Sequence, residues 1–408
     1  MTADLNIVGS EALENPQIER ANPNGSGRIY LSRVPANNVT RYNAMTDTPK
    51  IIGTRFSKIL NDSLKIFLKD ALKAAVTNPS QAVFFLKTLN WQKRAAGIRE
   101  NLEKGGIHVP PVLIFSVTSK CNLHCKGCYH QALRQMSQRD ISDERLVRAI
   151  AEAKELGISF IVFGGGEPLM RPHLLDIPAK YPEIMFLMFT NGLLIDDGVI
   201  RKMKEERNIV PLLSLEGYQT DTDERRGRGV YQLLQKSIDM LKQKGIFWGT
   251  SLTVTRNNFD EVTENEFVEK LVSSGCKLFM FVEYTPVKEG TENWVLTEKQ
   301  RSELVKRRDA FRVKHRAVFI ALPWDEEEIG GCLSAGRGFV HISAEGNVEP
   351  CPFVPFSDTN ISNLPLKEAL QSRMLRTIRE NHGRFEEMHG CALWQHREWV
   401  ESLSKTTD

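Results

Sequence analysis

Short apolar runs alternate with helical stretches through most of this chain. Six runs follow one another from residue 110 onward, at 112–117, 160–163, 184–189, 209–215, 247–254 and 278–284. Stretches with helical spacing of apolar residues follow these runs along the chain, most clearly at 143–156, 231–244 and 264–273. Repeated β-then-α units predict a parallel sheet and an α/β fold. Six units fall short of a closed (β/α)8 barrel, so we expect a partial (β/α)6 TIM-type barrel.

The flanking segments have a different character. Residues 1–27 are polar and lack periodicity, which predicts a disordered tail. Residues 28–109 hold two stretches of helical periodicity and are expected to be mainly helical. We therefore expect the partial barrel over 110–300, a connecting helix and loop over 301–330, and a small C-terminal extension over 331–408.

The charge balance excludes one class of function. The chain has 54 Lys and Arg against 51 Asp and Glu, a net charge of +3, which argues against a dedicated nucleic-acid binder. The helical arm is more basic, with ten Lys or Arg against four Asp or Glu between residues 55 and 104. This arm could contact an acidic membrane surface. An amphipathic arm packed on the main domain with a solvated basic face is the favoured interpretation.

The cysteine count indicates a reducing compartment. Seven cysteines in 408 residues are too few for a disulfide scaffold. The N-terminus lacks a secretory signal, and no apolar run reaches eighteen residues. We expect a cytoplasmic protein with reduced thiols, in which clustered cysteines are interpreted first as metal ligands.

Three cysteines cluster directly after the first predicted strand, as Cys121-x3-Cys125-x2-Cys128. Such a loop can occupy three corners of a four-iron cluster, which leaves one iron open for another ligand. Zinc is the rival metal, and His124 or His130 could assist it. The C-terminal end of a barrel strand is the usual place for an active site, which favours a functional cluster.

This loop resembles that of the radical S-adenosylmethionine (SAM) superfamily. The resemblance implies that the open iron chelates SAM and that an electron from the cluster cleaves SAM to a 5′-deoxyadenosyl radical, which abstracts hydrogen from a substrate. Many members have an aromatic residue before the third cysteine, whereas this chain has Gly127. Tyr129 is the expected replacement beside the adenine.

Later strand ends fit the same resemblance. Gly165, Gly166 and Glu167 are similar to the family's Gly-Gly-Glu motif, whose backbone and carboxylate engage the SAM ammonium. Polar residues at the next strand ends imply further contacts with SAM, and they are Asn191, Ser214, Glu216 and, as a partner of the SAM carboxylate, Arg226. Cys276 stands alone and is expected to be a small buried side chain.

A second set of cysteines lies near the C-terminus. Cys332 and Cys351 flank a predicted hairpin with strands near 340–342 and 348, and Cys391 follows. Their spacing resembles the shortened SPASM domain known as twitch, which implies one auxiliary four-iron cluster. The fourth ligand is open among His389, His396, Glu326 to Glu328, water and substrate. The acidic run 325–328 is otherwise expected to be a solvated turn.

The sequence thus predicts a radical SAM enzyme with two [4Fe-4S] clusters and an unidentified substrate and reaction. Flavodoxin or ferredoxin would supply electrons. Alternatives are a peptide-modifying maturase, an enzyme of a lipid or membrane-associated substrate and, from another class, an iron–sulfur electron carrier. No catalytic residue is identifiable from the pattern.

Overall fold

A computed structural model describes residues 49–134, 140–385 and 390–405. The predicted tail at 1–27 and the first part of the N-terminal region lie outside the described residues. The same holds for His389, one of the residues considered as a cluster ligand.

A nine-stranded sheet forms the centre of the described chain, in the order β7-β6-β5-β4-β3-β2-β1-β8-β9. Neighbouring strands from β7 to β8 run parallel, and only β9 is antiparallel to its neighbour. The strands are β1 (Val112–Thr118), β2 (Phe160–Gly165), β3 (Met185–Thr190), β4 (Ile209–Leu215), β5 (Trp248–Val254), β6 (Cys276–Glu283), β7 (Val318–Leu322), β8 (Phe339–Ile342) and β9 (Val348–Glu349).

The six predicted strands are confirmed as β1 to β6, and the α/β class is confirmed with them. The segment 301–330 was expected to hold only a helix and a loop, and this is wrong. It also contains β7, which pairs with β6 from Leu278↔Val318 onward. The predicted hairpin is present as β8 and β9, and β8 joins β1 in the register Val112↔Phe339. The extension therefore continues the sheet of the core.

Helices connect the strands in the β-then-α pattern that the sequence predicts. They are α1 (Pro49–Ala74), α2 (Pro79–Lys104), α3 (Tyr129–Leu133), α4 (Asp143–Glu155), α5 (Asp197–Glu206), α6 (Gln219–Arg226), α7 (Val230–Gln243), α8 (Phe259–Val262), α9 (Asn265–Ser273), α10 (Glu298–Lys314), α11 (Trp324–Glu327), α12 (Leu366–Ala369), α13 (Arg373–Glu380), α14 (Ala392–Gln395) and α15 (Arg397–Lys405). Short 3-10 turns lie at Pro168–Met170, Leu174–Asp176, Pro178–Lys180, Glu292–Trp294 and His382–Phe385.

The basic arm, α1 and α2, packs on one face of the sheet. Phe85 is fully buried, and its ring centroid lies 4.9 Å from that of Phe247. The ring centroids of Phe67 and Phe160 lie 5.8 Å apart. Each buried aromatic or aliphatic side chain of this kind contributes about 1.5–3 kcal/mol. Most basic side chains of the arm are exposed. The interpretation as a packed arm with a solvated basic face is therefore confirmed.

Strand periodicity separates the two faces of the sheet. In β3, Met185 contacts the arm, whereas Phe186 and Met188 belong to the core cluster beneath the connecting helices. Because β1 to β6 are parallel, their carboxyl ends meet at one edge. The first cysteine loop and the predicted polar strand ends all lie at this edge.

Candidate functional site

Cys121, Cys125 and Cys128 lie on the loop between β1 and α3. The Cys128 N–H donates to the Cys125 carbonyl at 3.3 Å, and Cys128 is the cap of α3. All three thiols are free and partly exposed. Burial raises the pKa of Cys121 to about 11 and also raises the pKa of Cys125. Positive charge, such as bound iron, is needed to hold these groups as thiolates at neutral pH.

Two arginines at the end of α6 hold this loop. The Lys126 N–H donates to the Arg225 carbonyl at 2.8 Å, and Arg225 Nε donates back to the Lys126 carbonyl at 3.2 Å. The charge of Arg226 opposes the effect of burial on the pKa of Cys125. The sequence analysis identified Arg226 and missed Arg225, although the two are adjacent.

Glu216 and Arg226, both predicted to contact SAM, are bonded to each other. Glu216 Oε1 accepts from Arg226 Nε at 3.0 Å and Nη2 at 2.6 Å, and Arg225 Nη1 lies 2.5 Å from the same oxygen. Glu216 Oε2 is buried and has no partner among the described residues. A polar ligand that donates to Oε2 would satisfy it. Ser214 is half-buried near the end of the same strand, and its contact with SAM stays a prediction.

The glycines at the end of β2 are required by close packing against the cysteine loop. A Cβ on Gly166 would lie 2.0 Å from the Lys120 carbonyl oxygen. One on Gly165, where φ is +113°, would lie 2.4 Å from the Thr118 carbonyl oxygen. The Gly166 and Glu167 N–H groups donate to the Thr118 and Lys120 carbonyls at 2.9 and 2.8 Å. These contacts place the glycine turn directly against the first cysteine.

Glu167 joins the ends of β2 and β3. Its Oε1 accepts from Thr190 Oγ1 at 2.7 Å, and its Oε2 accepts from the Asn191 N–H at 2.7 Å. Burial raises the pKa of this carboxyl, and the two bonds to Asn191 and Thr190 oppose that rise. Asn191 Nδ2 in turn donates to Asn122 Oδ1 at 2.7 Å, within the cysteine loop. These bonds order the strand ends, and contact with the SAM ammonium stays a prediction.

Gly127 stands where many relatives of this motif have an aromatic residue, and the packing explains the difference. Its φ is +64°, and a Cβ there would lie 2.7 Å from the Tyr284 hydroxyl and 2.8 Å from the Trp294 ring. These two rings lie 5.2 Å apart and already fill the space. Tyr129 points elsewhere, with its ring centroid 5.2 Å from that of Phe353 in the extension. These contacts do not test the prediction that Tyr129 lies beside the adenine of SAM.

Cys332, Cys351 and Cys391 form a second set in the extension. All three thiols are free, Cys351 is buried, and Cys332 and Cys391 are half-buried. Burial raises the pKa of Cys332 to about 12 and that of Cys391 to about 11, and it raises the pKa of Cys351. Cys276 is fully buried and lies apart from them, which confirms the prediction of a packing role.

In the described part of the chain, the cysteines of the extension do not form a site for a single metal ion. Within the described ranges, no three His, Cys, Asp or Glu side chains converge tightly enough to hold one ion. A cubane places one iron at each of four corners and takes one thiolate at each. An auxiliary cluster on the three cysteines stays a prediction.

The acidic run 325–328 differs from the predicted solvated turn. Asp325 accepts from Arg312 at 3.0 Å and pairs with Arg308, and Glu328 Oε1 accepts from Arg308 Nη2 at 2.6 Å. Arg308 is fully buried, so these carboxylates supply its counter-charge. The prediction of a solvated run holds for Glu327 and Glu328, which are exposed, and fails for Asp325, because the sequence does not reveal where the arginines of α10 point.

A buried polar network lies between the two cysteine sets. Ser116 Oγ lies 2.8 Å from His341 Nε2, and His341 Nδ1 lies 2.7 Å from Glu349 Oε2. Arg134, just after α3, donates to both oxygens of Glu349 at 3.0 and 2.5 Å. Burial lowers the pKa of His341, and its bond to the Glu349 carboxylate opposes this effect. The sequence analysis missed all four residues, because they share no local motif.

The comparisons with known proteins identify the core. Residues 115–269 match the model described as the radical SAM superfamily. The AdoMet-dependent heme synthase of Methanosarcina barkeri is 23% identical over 322 residues, which cover 71% of this chain and 90% of that protein. The PqqA peptide cyclase of Gluconobacter oxydans is 22% identical over 64% of this chain and 76% of its own length.

A solved structure shares the fold. Streptococcus suis SuiB bound to S-adenosylmethionine superposes with a TM-score of 0.55 at 18% identity, over 71% of this chain and 72% of SuiB. At that identity the likeness concerns the fold alone. The matched superfamily model begins within β1 and includes the first cysteine loop, the glycine turn and the α6 arginines.

Proposed function

This chain carries a radical SAM domain and is a radical SAM enzyme, and we propose that it abstracts hydrogen from a substrate held between two iron–sulfur clusters. Cys121, Cys125 and Cys128 would hold the first cluster. When bound there, the cluster supplies the electron that cleaves SAM to a 5′-deoxyadenosyl radical.

The protein's own groups would bind and orient SAM. The buried Glu216 Oε2 has no partner among the described residues and offers an acceptor for a ribose hydroxyl or the ammonium. Arg225 and Arg226 hold the other oxygen of Glu216 and bring positive charge beside the cysteine loop. Asn191 connects that loop to the Glu167 carboxylate. Tyr129, Ser214 and the backbone of Gly165 and Gly166 complete the proposed SAM site.

We further propose an auxiliary [4Fe-4S] cluster on Cys332, Cys351 and Cys391. The observation that carries this proposal is that three free cysteines up to 59 positions apart in sequence, Cys351 buried and the other two half-buried, flank and follow the β8–β9 hairpin with the spacing of the resemblance. A thiolate-binding cluster accounts for all three together.

Iron analysis after anaerobic purification tests the two-cluster proposal. We expect about eight irons per chain. Replacing Cys332 and Cys351 by alanine should remove about half of that iron, and dithionite should still drive formation of 5′-deoxyadenosine. Cys276→Ala is the matched control and should retain all the iron. Zinc in place of iron, or no 5′-deoxyadenosine on reduction, contradicts the proposal.

The substrate class is open between small molecules and peptides. This chain matches more than two thirds of the length of a relative named for heme synthesis and of one named for peptide cyclisation. We propose that the substrate binds near the carboxyl end of β6, where Thr285 bonds Cys391 and Glu283 acts electrostatically on the same thiol. Flavodoxin or ferredoxin is the proposed electron donor. Formation of 5′-deoxyadenosine is measured with added iron porphyrin and with added peptide. The compound that increases it identifies the substrate class.

Peripheral membrane contact through the arm is a secondary proposal. No helix in the part of the chain that the structure describes is long and apolar enough to span a bilayer. The outer face of α2 exposes Val83 and Leu86 beside Lys87, a combination that suits an anionic lipid surface. Co-sedimentation with vesicles containing phosphatidylserine tests this contact, with phosphatidylcholine vesicles as the control.

A further inference from the structure

We propose that a cavity at the amino ends of β5 and β6 binds a small organic anion. Trp248 begins β5, and Gly275 directly precedes β6. Because β1 to β6 are parallel, this cavity lies at the opposite edge of the sheet from the first cysteine loop. The proposed site is therefore separate from the SAM site, and it depends on neither iron–sulfur cluster.

The cavity has a volume of about 490 Å³ and lies between the arm and the barrel. The turn between α1 and α2 forms one wall, and the end of α7 with the start of β5 forms another. Asn78 Nδ2 donates to the Gly245 carbonyl at 2.8 Å, and Gln81 Nε2 donates to the Arg207 carbonyl at 3.2 Å. These bonds join the arm to the barrel, so the cavity is formed before any ligand binds.

The indole of Trp248 supplies an unused hydrogen-bond donor. Trp248 is fully buried in the cavity wall, and its Nε1 has no partner among the described residues. An indole N–H can only donate, and buried donors in folded proteins are nearly always bonded. An acceptor atom on a ligand would satisfy this group.

Gly275 leaves the space beside the indole N–H free of side chain. Its φ is +95°, and a Cβ there would lie 3.4 Å from Trp248 Nε1 and 4.0 Å from Lys242 Cγ. Gly275 and Lys242 both line the cavity. The unused donor and a lysine side chain thus lie together at this wall, and we place the anionic head of the ligand there.

Lys242 and Lys277 make the cavity electropositive. Lys242 is exposed, Lys277 is half-buried, and no Asp or Glu is among the described residues that line the cavity. A lysine in the last turn of a helix also stabilises that helix, and Lys242 lies in the last turn of α7. The charge alone therefore identifies no ligand, and the unpaired indole N–H is the observation that does.

Apolar side chains define the rest of the ligand. Ala74, Ala75, Ile246 and Phe247 line the cavity beside its polar groups. A ligand that fits has a carboxylate or phosphate head and a small apolar body. The head would accept from the indole N–H near the two lysines, and the body would contact the arm. Such a ligand would link the arm to the barrel.

Titration of the full-length protein, purified anaerobically, with benzoate and with phenyl phosphate tests the site. The chain holds six tryptophans, so isotope-labelled tryptophan gives a small set of indole signals in nuclear magnetic resonance spectra, and Trp248→Phe assigns one of them. We expect one or both anions to shift the Trp248 N–H signal downfield and to saturate. Saturation by one anion alone identifies the head group. Benzyl alcohol, which has the ring without the charge, should bind at least about tenfold more weakly.

Substitutions separate the donor from the charge. Lys242→Met combined with Lys277→Met keeps the apolar stems and removes both cations, so calorimetry should show binding at least about tenfold weaker. Trp248→Phe removes the N–H and should weaken binding to a similar extent. Lys244→Met is the matched control, because Lys244 is an exposed lysine at the same end of α7 and is not among the residues that line the cavity. It should bind as the parent does.

Melting temperatures without ligand show whether each variant folds. The lysine substitutions lie at the surface, so they keep the test decisive if Trp248→Phe is unstable. A Trp248 signal that neither anion shifts overturns the proposal. Binding by the double lysine variant that is as tight as that of Lys244→Met also overturns it, as does binding that folded Trp248→Phe leaves unchanged.

Discussion

Arg134 and Glu349 form a buried ion pair between the two cysteine sets. Arg134 Nη2 lies 2.5 Å from Glu349 Oε2, and the two side chains are 9% and 3% exposed. Arg134 follows the short helix that begins after Cys128, and Glu349 precedes Cys351 by two residues. The pair therefore ties the two proposed cluster-binding segments to each other.

Breaking this pair from one side should be costly. Arg134→Met leaves the Glu349 carboxylate buried beside His341 without its cation, which should destabilise the fold by about 3–5 kcal/mol. Arg148→Met is the matched control, because Arg148 bonds Glu152 with its side chain 70% exposed, and its loss should cost less than about 1 kcal/mol. Anaerobic thermal unfolding measures both. Equal melting temperatures for the two variants would show that the Arg134–Glu349 pair is unimportant for stability.

Gly164 and Gly166 lie two residues apart, and we expect them to respond differently to substitution by alanine. Gly166→Ala should displace the Lys120 carbonyl and with it Cys121, because the added Cβ would lie 2.0 Å from that oxygen. Gly164→Ala should be tolerated, since nothing lies within 4 Å of its Cβ position. Iron content and the yield of 5′-deoxyadenosine should fall at least about tenfold for Gly166→Ala only. Retained activity in Gly166→Ala contradicts the close approach.

Restoring the aromatic residue that Gly127 replaces should harm this protein. Gly127→Phe would force a side chain into the space of Tyr284 and Trp294 at a φ of +64°. We expect loss of the first cluster, seen as about four irons fewer per chain. The double variant Gly127→Phe/Trp294→Ala should recover part of that iron, because it removes one of the two clashing rings. If the double variant recovers no iron, the backbone conformation at position 127, and not the clash with Trp294, causes the loss of the cluster.

The protein should lose stability in mild acid through His382. Burial first, and the charge of Arg337 second, lower the pKa of this imidazole to about 4. In the unfolded chain a histidine binds its proton near pH 6.5. Between about pH 6.5 and 4 the unfolded state thus holds more protons, so stability falls as the pH falls through this window.

Comparison with His382→Gln isolates that contribution. The variant cannot take up the proton, so its melting temperature should depend less steeply on pH between 6.5 and 4 than that of the parent. Above pH 7 the two slopes should agree. Identical slopes below pH 6.5 would show that His382 is as accessible to protons in the folded protein as in the unfolded chain.

The acidic run 325–328 illustrates how far sequence reasoning reached. The run 325–328 was visible as a candidate, but its four carboxylates were indistinguishable along the chain. The side chains of Arg308 and Arg312 separate them, because each buried guanidinium requires nearby carboxylates. That selection depends on how α10 packs and on no local pattern.

The sequence by itself determined the order of β1 to β6, the first cysteine loop and the glycine turn after β2. Periodicity and spacing are local properties, and each of these features lies within one short segment. Only the tertiary structure decided that β7 and β8 extend the sheet, that Glu216 binds Arg226, and that Arg134 meets Glu349. No local pattern pairs these residues, and burial of charge and the pairing of strand edges select the contacts only when the chain has folded.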